Sequence, residues 1–478
     1  MLFNSLSFLF FLPIVFTIYW MVNKKGLQLQ NSLLLLASYY FYACWNWKFL
    51  FLLLFSTGLD YYTGIQMFES KSKTIKKTWF WISICINLGF LTVFKYYNFF
   101  VSSFSEALSS FGFHVDFAIL KVILPIGISF YTFHGLSYVI DIYKNRIEPE
   151  RNVVNYSLFV SYFPLLVAGP IERATHLLPQ IKKRRAFNYN QAKDGLYQIV
   201  WGLFKKVVIA DSCALYANEI FDHYDKMNSL TLVLGAIYFA FQIYGDFSGY
   251  SDIALGTSKL FGIDLLRNFN FPYFSRDIAE FWRRWHISLS SWFRDYLYVP
   301  LGGSRGGMRM KIRNTFIIFI VSGFWHGANW TFIFWGALNA IYFLPLLITN
   351  NNRNNIDIVA KGKYLPSATD FFKIIFTFSL TTFAWIFFRS KTITLAFHYI
   401  KRIFSFNFEG KVQYLSIERY SVELLLLVFG FIIVEWFSRE KEHPFFGKLT
   451  QVKLLFVVCL ILILGVFSKA SNFIYFQF

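Results

Sequence analysis

Long apolar segments separated by short polar stretches recur from one end of the chain to the other. Segments long enough to span a bilayer, or nearly so, lie at about 2–22, 31–58, 78–100, 120–140, 153–170, 195–211, 229–245, 314–349, 371–388, 421–437 and 454–468. The segments 31–58 and 314–349 each have room for two helices. The pattern predicts an all-α polytopic membrane protein with about eleven transmembrane helices plus re-entrant and interfacial helices.

Proline and glycine interrupt several of these segments. Pro125, Gly127, Pro164 and Pro170 fall inside stretches that are otherwise apolar. Backbone exposed to lipid must satisfy its own hydrogen bonds, so a helix broken at membrane depth has to be surrounded by protein or face a cavity. The interruptions therefore predict broken helices around a cavity.

The segment 246–313 differs because it carries many charges among its aromatic residues. Apolar residues recur within 281–298 at intervals of three and four. The basic residues between them are Arg283, Arg284 and Arg294. This spacing predicts one amphipathic interfacial helix, with His286 beside its apolar stripe. The whole segment is too charged to span, so we expect it on the surface or along a cavity, and the polar stretch 350–370 predicts an aqueous loop.

Composition agrees with a membrane protein. The chain is 56% hydrophobic and only 15% charged, against roughly 25% charged in a soluble domain. We expect a single integral-membrane domain over 1–478. Residues 1–23 are uncharged and lack a basic leading region, which favours a retained helix over a signal peptide. Lys24 and Lys25 follow directly, and they favour an outside N-terminus with both lysines facing the cytoplasm.

The net charge of +19 is concentrated in connecting segments, at 71–77, 144–151, 182–185 and 305–313. Positive-inside topology and contact with an anionic lipid bilayer explain this charge, and no nucleic-acid partner is expected. The four cysteines lie in or beside apolar segments without paired spacing, at positions 44, 85, 213 and 459. We interpret them as packing residues and expect neither a disulfide framework nor a metal site.

His326 lies in the stretch 314–352, which contains no Asp, Glu, Lys or Arg. An imidazole there has one of two explanations: it packs between helices with a hydrogen bond to a neighbour, or it serves a function. Gly323, Gly327 and Ala328 remove bulk around it and Asn329 adds a second polar group, as expected of a cavity that a ligand enters. The residues alone leave both explanations open.

Two further groups could carry chemistry. His286 is explained by composition as an interfacial residue facing the headgroups, although the turn 300–305 and the nearby arginines could receive a phosphorylated ligand. Asp246 and Asp252, with Ser248 and Tyr250 between them, could bind a cation or a substrate hydroxyl. Structural pairing of these carboxylates with Arg283 or Arg284 is the favoured interpretation. A structural role is also favoured for 167–173, a helix end followed by a charged turn.

Five motifs occur in order along most of the chain, at 168–173 (AGPIER), 246–252 (DFSGYSD), 282–290 (WRRWHISLS), 294–303 (RDYLYVPLGG) and 324–327 (FWHG). Together they resemble the membrane-bound O-acyltransferase family. Within it, the chain is most similar to the bacterial alginate O-acetyltransferase branch, near the proteins for peptidoglycan O-acetylation and teichoic acid D-alanylation. The core motifs fall within about 120–345.

The resemblance implies His326 as the catalytic residue and His286 as its companion. It implies helices around a central funnel, no bound cofactor, acetyl-CoA or another acyl thioester as co-substrate, and a hydroxyl acceptor. The alginate branch further implies a bacterial inner-membrane location, an extracytoplasmic acetyltransferase partner protein and a polysaccharide acceptor. The remaining candidates for substrate binding are Asn329, Asp246, Ser248, Tyr250, Asp252, Arg283, Arg284 and Arg294.

Imidazole suits such a reaction because its neutral form accepts a proton from a hydroxyl near pH 7. Asn329, Ser322 or the ring of His286 could donate to the thioester carbonyl. Direct transfer and an acyl-histidine relay remain open, as do D-alanyl transfer to teichoic acid and peptidoglycan O-acetylation. The rival classes are a solute transporter, which predicts inverted internal repeats that the sequence does not show, and a membrane scaffold in which His326 only packs.

Overall fold

The structure is a computed structural model that describes residues 1–113, 115, 119–120, 123–167, 169–409, 421–467 and 473–474. Ala168 of the first motif and residues 121–122 of the predicted segment 120–140 lie outside this part of the chain. The described residues form helices joined by turns, and they contain no strand. An all-α fold is confirmed. The chain divides into two compact units, and the single domain expected over 1–478 stays a prediction.

The first unit contains Met1–Lys193 and Thr257–Leu266. Its helices are α1 (Leu6–Val22), α2 (Leu27–Asn46), α3 (Lys48–Glu69), α4 (Lys73–Leu91), α5 (Tyr97–Ser110), α6 (Ile128–Tyr143), α7 (Val153–Ser161), α8 (Phe163–Leu166) and α9 (Ala174–Lys182). The helix expected at the N-terminus and the division of 31–58 into two helices are confirmed. Gly127 has a φ of 77° just before α6, and a Cβ there would collide with the carbonyl of Leu166. The predicted interruption is therefore real.

The second unit contains Asp194–Gly256 and Arg267–Phe478. The helices from here on are α10 (Tyr189–Leu203), α11 (Asp211–Asp222), α12 (Ser229–Leu260), α13 (Ile278–Arg284), α14 (Ile287–Phe293), α15 (Gly307–His326), α16 (Trp330–Ile348), α17 (Ala368–Arg389), α18 (Ile393–Ile403), α19 (Ser421–Ser438) and α20 (Thr450–Leu464). The division of 314–349 into two helices is confirmed, and the predicted loop at 350–370 contains no helix before α17 begins at Ala368.

Helix α12 is 32 residues long, so it continues through the charged motif at 246–252. For this motif the expectation that 246–313 lies on the surface or along a cavity is wrong, because Asp246 is buried and Asp252 is largely buried, each against a lysine. Asp246 is 2% exposed and pairs with Lys206 at 2.8 Å. A carboxylate in an apolar helix is tolerated when it is paired in this way.

Five helical segments in the described part of the chain are long and apolar enough to cross a membrane, judged by length and composition. They are Leu6–Lys25, Lys73–Ser110, Ser229–Leu260, Trp330–Ile348 and Ala368–Arg389. Shorter apolar helices lie at Val153–Leu166, Leu424–Ser438 and Thr450–Leu464. These segments confirm a multi-pass membrane protein, and the count of about eleven spans stays a prediction.

Candidate active site

A cavity of about 520 Å³ opens in the second unit, and both histidines singled out in the sequence line it. Its walls come from α13 to α16 and from the polar segment after α16. One face of α15 runs along it, where Lys311, Thr315, Ser322 and His326 are spaced at four, seven and four residues. At a rise of 1.5 Å per residue, Lys311 and His326 lie about 22 Å apart along the helix axis. The cavity is therefore long, with its two ends on one helix.

His326 is the last residue of α15 and is surrounded by aromatic rings. Its imidazole is centred 5.2 Å from the indole of Trp335, 5.3 Å from the ring of Phe388 and 4.9 Å from the indole of Trp325. These rings leave His326 only 3% exposed. Close edge-to-face packing of this kind holds the imidazole in one orientation at the end of the cavity.

Glycines bring α15 and α16 close enough to place His326 in this position. A Cβ on Gly323 would collide with the carbonyl oxygen of Phe332, and one on Gly336 would collide with the backbone of α15. A Cβ on Gly327 would meet the ring of Phe332. The expectation that Gly323 and Gly327 leave space for a ligand is wrong, because Phe332 occupies that side. The cavity lies instead along the face that carries Ser322.

His286 lies between α13 and α14 with a left-handed backbone conformation, φ 45°. Backbone hydrogen bonds to an upstream segment replace those that a continuous helix would make here. The N–H of Asn270 donates to the carbonyl of Arg284 at 2.9 Å, and the N–H of Ile287 donates to the carbonyl of Asn268 at 2.9 Å. The break is thus built into the fold, and it places His286 in the wall of the cavity.

The single interfacial helix predicted over 281–298 is therefore wrong. The segment forms α13, the break, α14 and a π-helical turn at Arg294–Tyr298. Phe281 and Trp285 are each 1% exposed, so the apolar stripe packs inside the unit. The hydrogen bonds that stabilise the break come from residues 268–270, which a local periodicity cannot report.

The His286 ring is 1% exposed and lies among aromatic rings. Its centroid is 4.6 Å from that of Phe247 on α12 and 6.0 Å from that of Trp325. Within the described residues, neither ring nitrogen has a hydrogen-bond partner. Burial lowers the pKa of His286 to about 3, so the ring is neutral at physiological pH. A buried neutral imidazole with both nitrogens unsatisfied can donate to and accept from a bound substrate.

The end of the cavity away from His326 is basic. Arg294, Lys311 and Arg353 line it, and no Asp or Glu is among the lining residues, all of which the structure describes. Arg294 also pairs with Asp295 at 2.7 Å, which offsets part of its charge. The basic end, hereafter the mouth, suits an anionic group.

Arg283 and Arg284 lie outside the cavity lining and bind other groups of the protein instead. Arg283 donates to the carbonyls of Asn352 at 2.7 Å and Asn355 at 2.8 Å. Arg284 pairs with Glu280 at 2.7 Å. Of the three arginines proposed for substrate binding, the structure therefore brings only Arg294 to the cavity.

The carboxylates of the α12 motif bind lysines rather than Arg283 or Arg284. Lys206 lies 2.8 Å from Asp246 and 2.8 Å from Asp211. Lys205 lies 2.5 Å from Asp252. Both lysines belong to a π-helical turn, Phe204–Ala210. The pairing explains the charges of the motif without a ligand.

The other candidates from the sequence also lie away from the cavity. Ser248 and Tyr250 are buried in α12, with 1% and 0% exposure. Asn329 caps α16 by accepting from the N–H of Thr331 at 3.0 Å, and it donates to the carbonyl of Lys391 at 2.9 Å. Its side chain orders the turn after His326.

Glu172, from the first motif, is fully buried in the first unit. It shares a hydrogen bond with Nδ1 of His176 at 2.7 Å, and it accepts from the N–H of Leu266 at 2.6 Å. The hydrogen bond to Glu172 raises the pKa of His176. This arrangement agrees with the structural role expected for 167–173.

Several lining residues were not singled out from the sequence. Lys311 was counted only as part of the basic segment 305–313, Asn352 and Arg353 only as part of the predicted loop 350–370, and Tyr298 and Ser290 were not considered as site residues. One signal was available, because Lys311 shares the helical face of Ser322 and His326. No local pattern in the sequence indicated that the polar segment after α16 would line the cavity.

A multi-pass membrane protein with two buried histidines in one cavity has the architecture of a membrane enzyme. The chain belongs to the membrane-bound O-acyltransferase family, whose profile matches residues 31–390. It is therefore an O-acyltransferase. This membership sets aside the solute transporter and the scaffold as classes.

Named relatives agree with the family. The chain is 36% identical over 458 residues to the probable alginate O-acetylase AlgI of Pseudomonas aeruginosa, covering 95% of this chain and 84% of that protein. It is 35% identical over 436 residues to the peptidoglycan O-acetyltransferase of Helicobacter pylori, covering 85% and 80%. It is 27% identical over 282 residues to the teichoic acid D-alanyltransferase of Bacillus subtilis, covering 56% and 69%.

Proposed function

We propose that this O-acyltransferase takes an acetyl group from acetyl-CoA on the cytoplasmic side and passes it toward O-acetylation of an extracytoplasmic polysaccharide such as alginate. The observation that carries the proposal is the shared cavity: His326 and His286 line it, and Lys311 and Arg353 line its mouth. The similarity to alginate O-acetylases over nearly the whole chain supports the acceptor class.

The length of the cavity suits an acyl thioester on a long arm. In coenzyme A, the pantetheine arm separates the sulfur from the diphosphate. The distance of about 22 Å along α15 between Lys311 and His326 is comparable to an extended arm of this kind. Phosphates at the mouth would leave the thioester beside the histidines.

His326 acts as the general base in this proposal. Its ring takes the proton from the acceptor hydroxyl as the oxygen attacks the thioester carbonyl. The carbon–sulfur bond then breaks, the acetyl group stays on the oxygen, and the thiolate takes the proton from His326. Base catalysis by a positioned imidazole typically contributes about 10² to 10⁴ in rate.

His286 acts on the carbonyl oxygen. Its ring is neutral, so it carries one N–H, and neither nitrogen has a hydrogen-bond partner within the described residues. A donor aimed at the developing oxyanion stabilises the transition state more than the substrate. Ser322, also in the cavity lining, is a second donor to the same oxygen.

Transfer can be direct or can pass through an acetyl group on His326, and both routes use the same side chains. Rapid denaturation after addition of labelled acetyl-CoA separates them. Label that stays bound to the unsubstituted protein and is absent from the His326→Ala protein would indicate transfer through an acetyl group on His326. Label found only on the acceptor, at every time point, would mark direct transfer.

The proposed location is the cytoplasmic membrane of a bacterium, with a hydroxyl of an extracytoplasmic partner protein as the immediate acceptor. The test uses sealed inside-out vesicles that contain the protein, with the extracytoplasmic partner protein and the polymer in the lumen and labelled acetyl-CoA added outside. We expect label on a protein or polysaccharide within the lumen. Label confined to the outer medium, or equal in vesicles without the protein, would contradict the proposal.

A further inference from the structure

The polar segment after α16 forms one wall of the mouth, although it has no helix to hold its shape. Asn350, Asn352 and Arg353 of this segment line the cavity. An irregular segment keeps a defined form only when its backbone groups are bound. Its carbonyls are bound here by arginines.

Those arginines lie on or beside α13. Arg283 donates to the carbonyls of Asn352 and Asn355, on either side of Arg353. Arg276 and Arg284 both bind Asp357: Arg276 donates to its carboxylate at 2.8 Å, and Arg284 donates to its carbonyl at 2.7 Å.

Further contacts secure the segment. Asn355 donates to the carboxylate of Asp277 at 2.6 Å. The Arg276 guanidinium beside Asp357 holds the pKa of that carboxyl below its usual range, so the pair is charged at neutral pH. The wall of the mouth is therefore held by the same short helix whose end presents His286 to the cavity.

Two of the three cations at the mouth form no ion pair within the part of the chain that the structure describes. Within the described residues, neither Lys311 nor Arg353 has a carboxylate within ion-pair distance, in contrast to Arg294, which pairs with Asp295. Lys311 is half-buried and Arg353 is exposed. Two uncompensated cations facing a cavity without carboxylates attract a polyanion.

We propose that Lys311 and Arg353 bind the phosphates of the thioester donor, and that Arg283 is a positioning residue that holds Arg353 toward them through the backbone of Asn352 and Asn355. This subsite rests on the proposed function, because it assigns the phosphate-bearing part of the donor. A lipid headgroup carries the same phosphate chemistry, so the experiment has to separate the two sources.

The experiment measures binding, which needs no turnover. Purified full-length protein in nanodiscs of zwitterionic lipid is titrated with coenzyme A and, separately, with pantetheine, which has the same thiol arm and no phosphate. The variants are Arg353→Gln, Lys311→Gln, Arg283→Gln and Arg283→Lys. The control is Arg309→Gln, which removes an exposed cation from the same end of α15 outside the cavity lining.

We expect Arg353→Gln, Lys311→Gln and Arg283→Gln to weaken coenzyme A binding by about tenfold or more, the size of one lost charge-assisted hydrogen bond. Pantetheine binding should not change. Arg283→Lys should recover part of the loss, and Arg309→Gln should bind like the unsubstituted protein. A merely structural role of Arg283 would weaken both ligands equally.

Two results would overturn the subsite. One is unchanged coenzyme A binding in both Arg353→Gln and Lys311→Gln. The other is loss of coenzyme A binding when the unsubstituted protein is reconstituted in nanodiscs of anionic lipid in place of zwitterionic lipid. That result would assign the cations to a lipid headgroup. A protein that binds coenzyme A as predicted but transfers no acetyl group would count against the proposed function. It would not count against the phosphate subsite, because binding is measured without turnover.

Discussion

The imidazole of His326 lies edge-on to the indole of Trp335, at 89° and with 5.2 Å between the ring centroids. Trp335 is on α16 and is 1% exposed, so it cannot move without disturbing the unit. The glycine contacts between α15 and α16 set the distance between the two rings. The orientation of the His326 imidazole is therefore determined by the packing of α15 against α16.

Trp335→Leu is expected to lower kcat by about 10²-fold, because a catalytic group displaced by about 1 Å loses that much. The KM for the donor should change little, since Trp335 does not line the cavity. Steady-state kinetics with labelled acetyl-CoA measure both constants. Trp81→Leu, at a half-exposed indole of α4, is the control. An unchanged kcat in Trp335→Leu would show that catalysis does not depend on the orientation that Trp335 gives to the His326 imidazole.

Because α15 and α16 pack closely at Gly323, we expect Gly323→Ala to destabilise the protein. The new methyl group would meet the carbonyl oxygen of Phe332, and such overpacking costs about 1 to 3 kcal/mol. Gly430→Ala on α19 is the matched control, because a Cβ there meets nothing within 4 Å. Thermal unfolding in detergent compares the two. Equal melting temperatures would show that the helices do not approach as closely as the structure has them.

His286 is expected to act as a neutral hydrogen-bonding group. His286→Asn should keep more activity than His286→Ala, because an amide also donates and accepts. The pH dependence of kcat between pH 5 and 8 should stay the same in His286→Asn, since a pKa of about 3 places the titration of His286 below this window. A pH profile that loses its acidic limb in His286→Asn would show instead that His286 titrates during catalysis.

The same pKa predicts how stability depends on pH. The unfolded chain carries His286 with an ordinary pKa of about 6.5, so it binds more protons than the folded state between that pH and about 3. The contribution of His286 is fully present above about 6.5 and is lost progressively as the pH falls toward 3. His286→Asn should therefore unfold with a smaller drop in melting temperature between pH 7.5 and 5. An identical drop would contradict the buried neutral state.

Lys206 is expected to be essential for folding, because it is fully buried between Asp211 and Asp246. Lys206→Met leaves two buried carboxylates without their cation, at a cost of about 3 to 5 kcal/mol. Arg151→Gln breaks an exposed pair with Glu69 and should cost at most about 1 kcal/mol. The yield of folded protein and its unfolding temperature measure both. A stable Lys206→Met protein would reopen a ligand role for the motif at 246–252.

The sequence predicted the helical fold well wherever hydrophobic length decides it. The N-terminal helix and the divisions of 31–58 and 314–349 follow from apolar length and from local breakers. It also brought His326 and His286 forward, but the resemblance to a family did most of that. Their convergence on one cavity depends on packing between segments far apart in sequence.

The sequence failed where tertiary hydrogen bonds override local periodicity. The 281–298 stretch looks like one helix, yet residues 268–270 supply the bonds that break it at His286. Arg283 looked like a ligand for phosphate because arginines commonly are, but its donors are used by two backbone carbonyls. The glycines beside His326 looked like space for a ligand, and they are contact points between helices.

The most direct test of the account compares acetyl transfer by the unsubstituted protein and by His326→Ala, both purified and shown to be folded by matching unfolding temperatures. His398→Ala, at an exposed histidine of α18, controls for loss of an imidazole elsewhere. We predict that His326→Ala loses transfer by about 10² to 10⁴-fold or completely, while His398→Ala keeps the normal rate. Near-normal transfer by folded His326→Ala protein would contradict the assignment of His326 as the catalytic base.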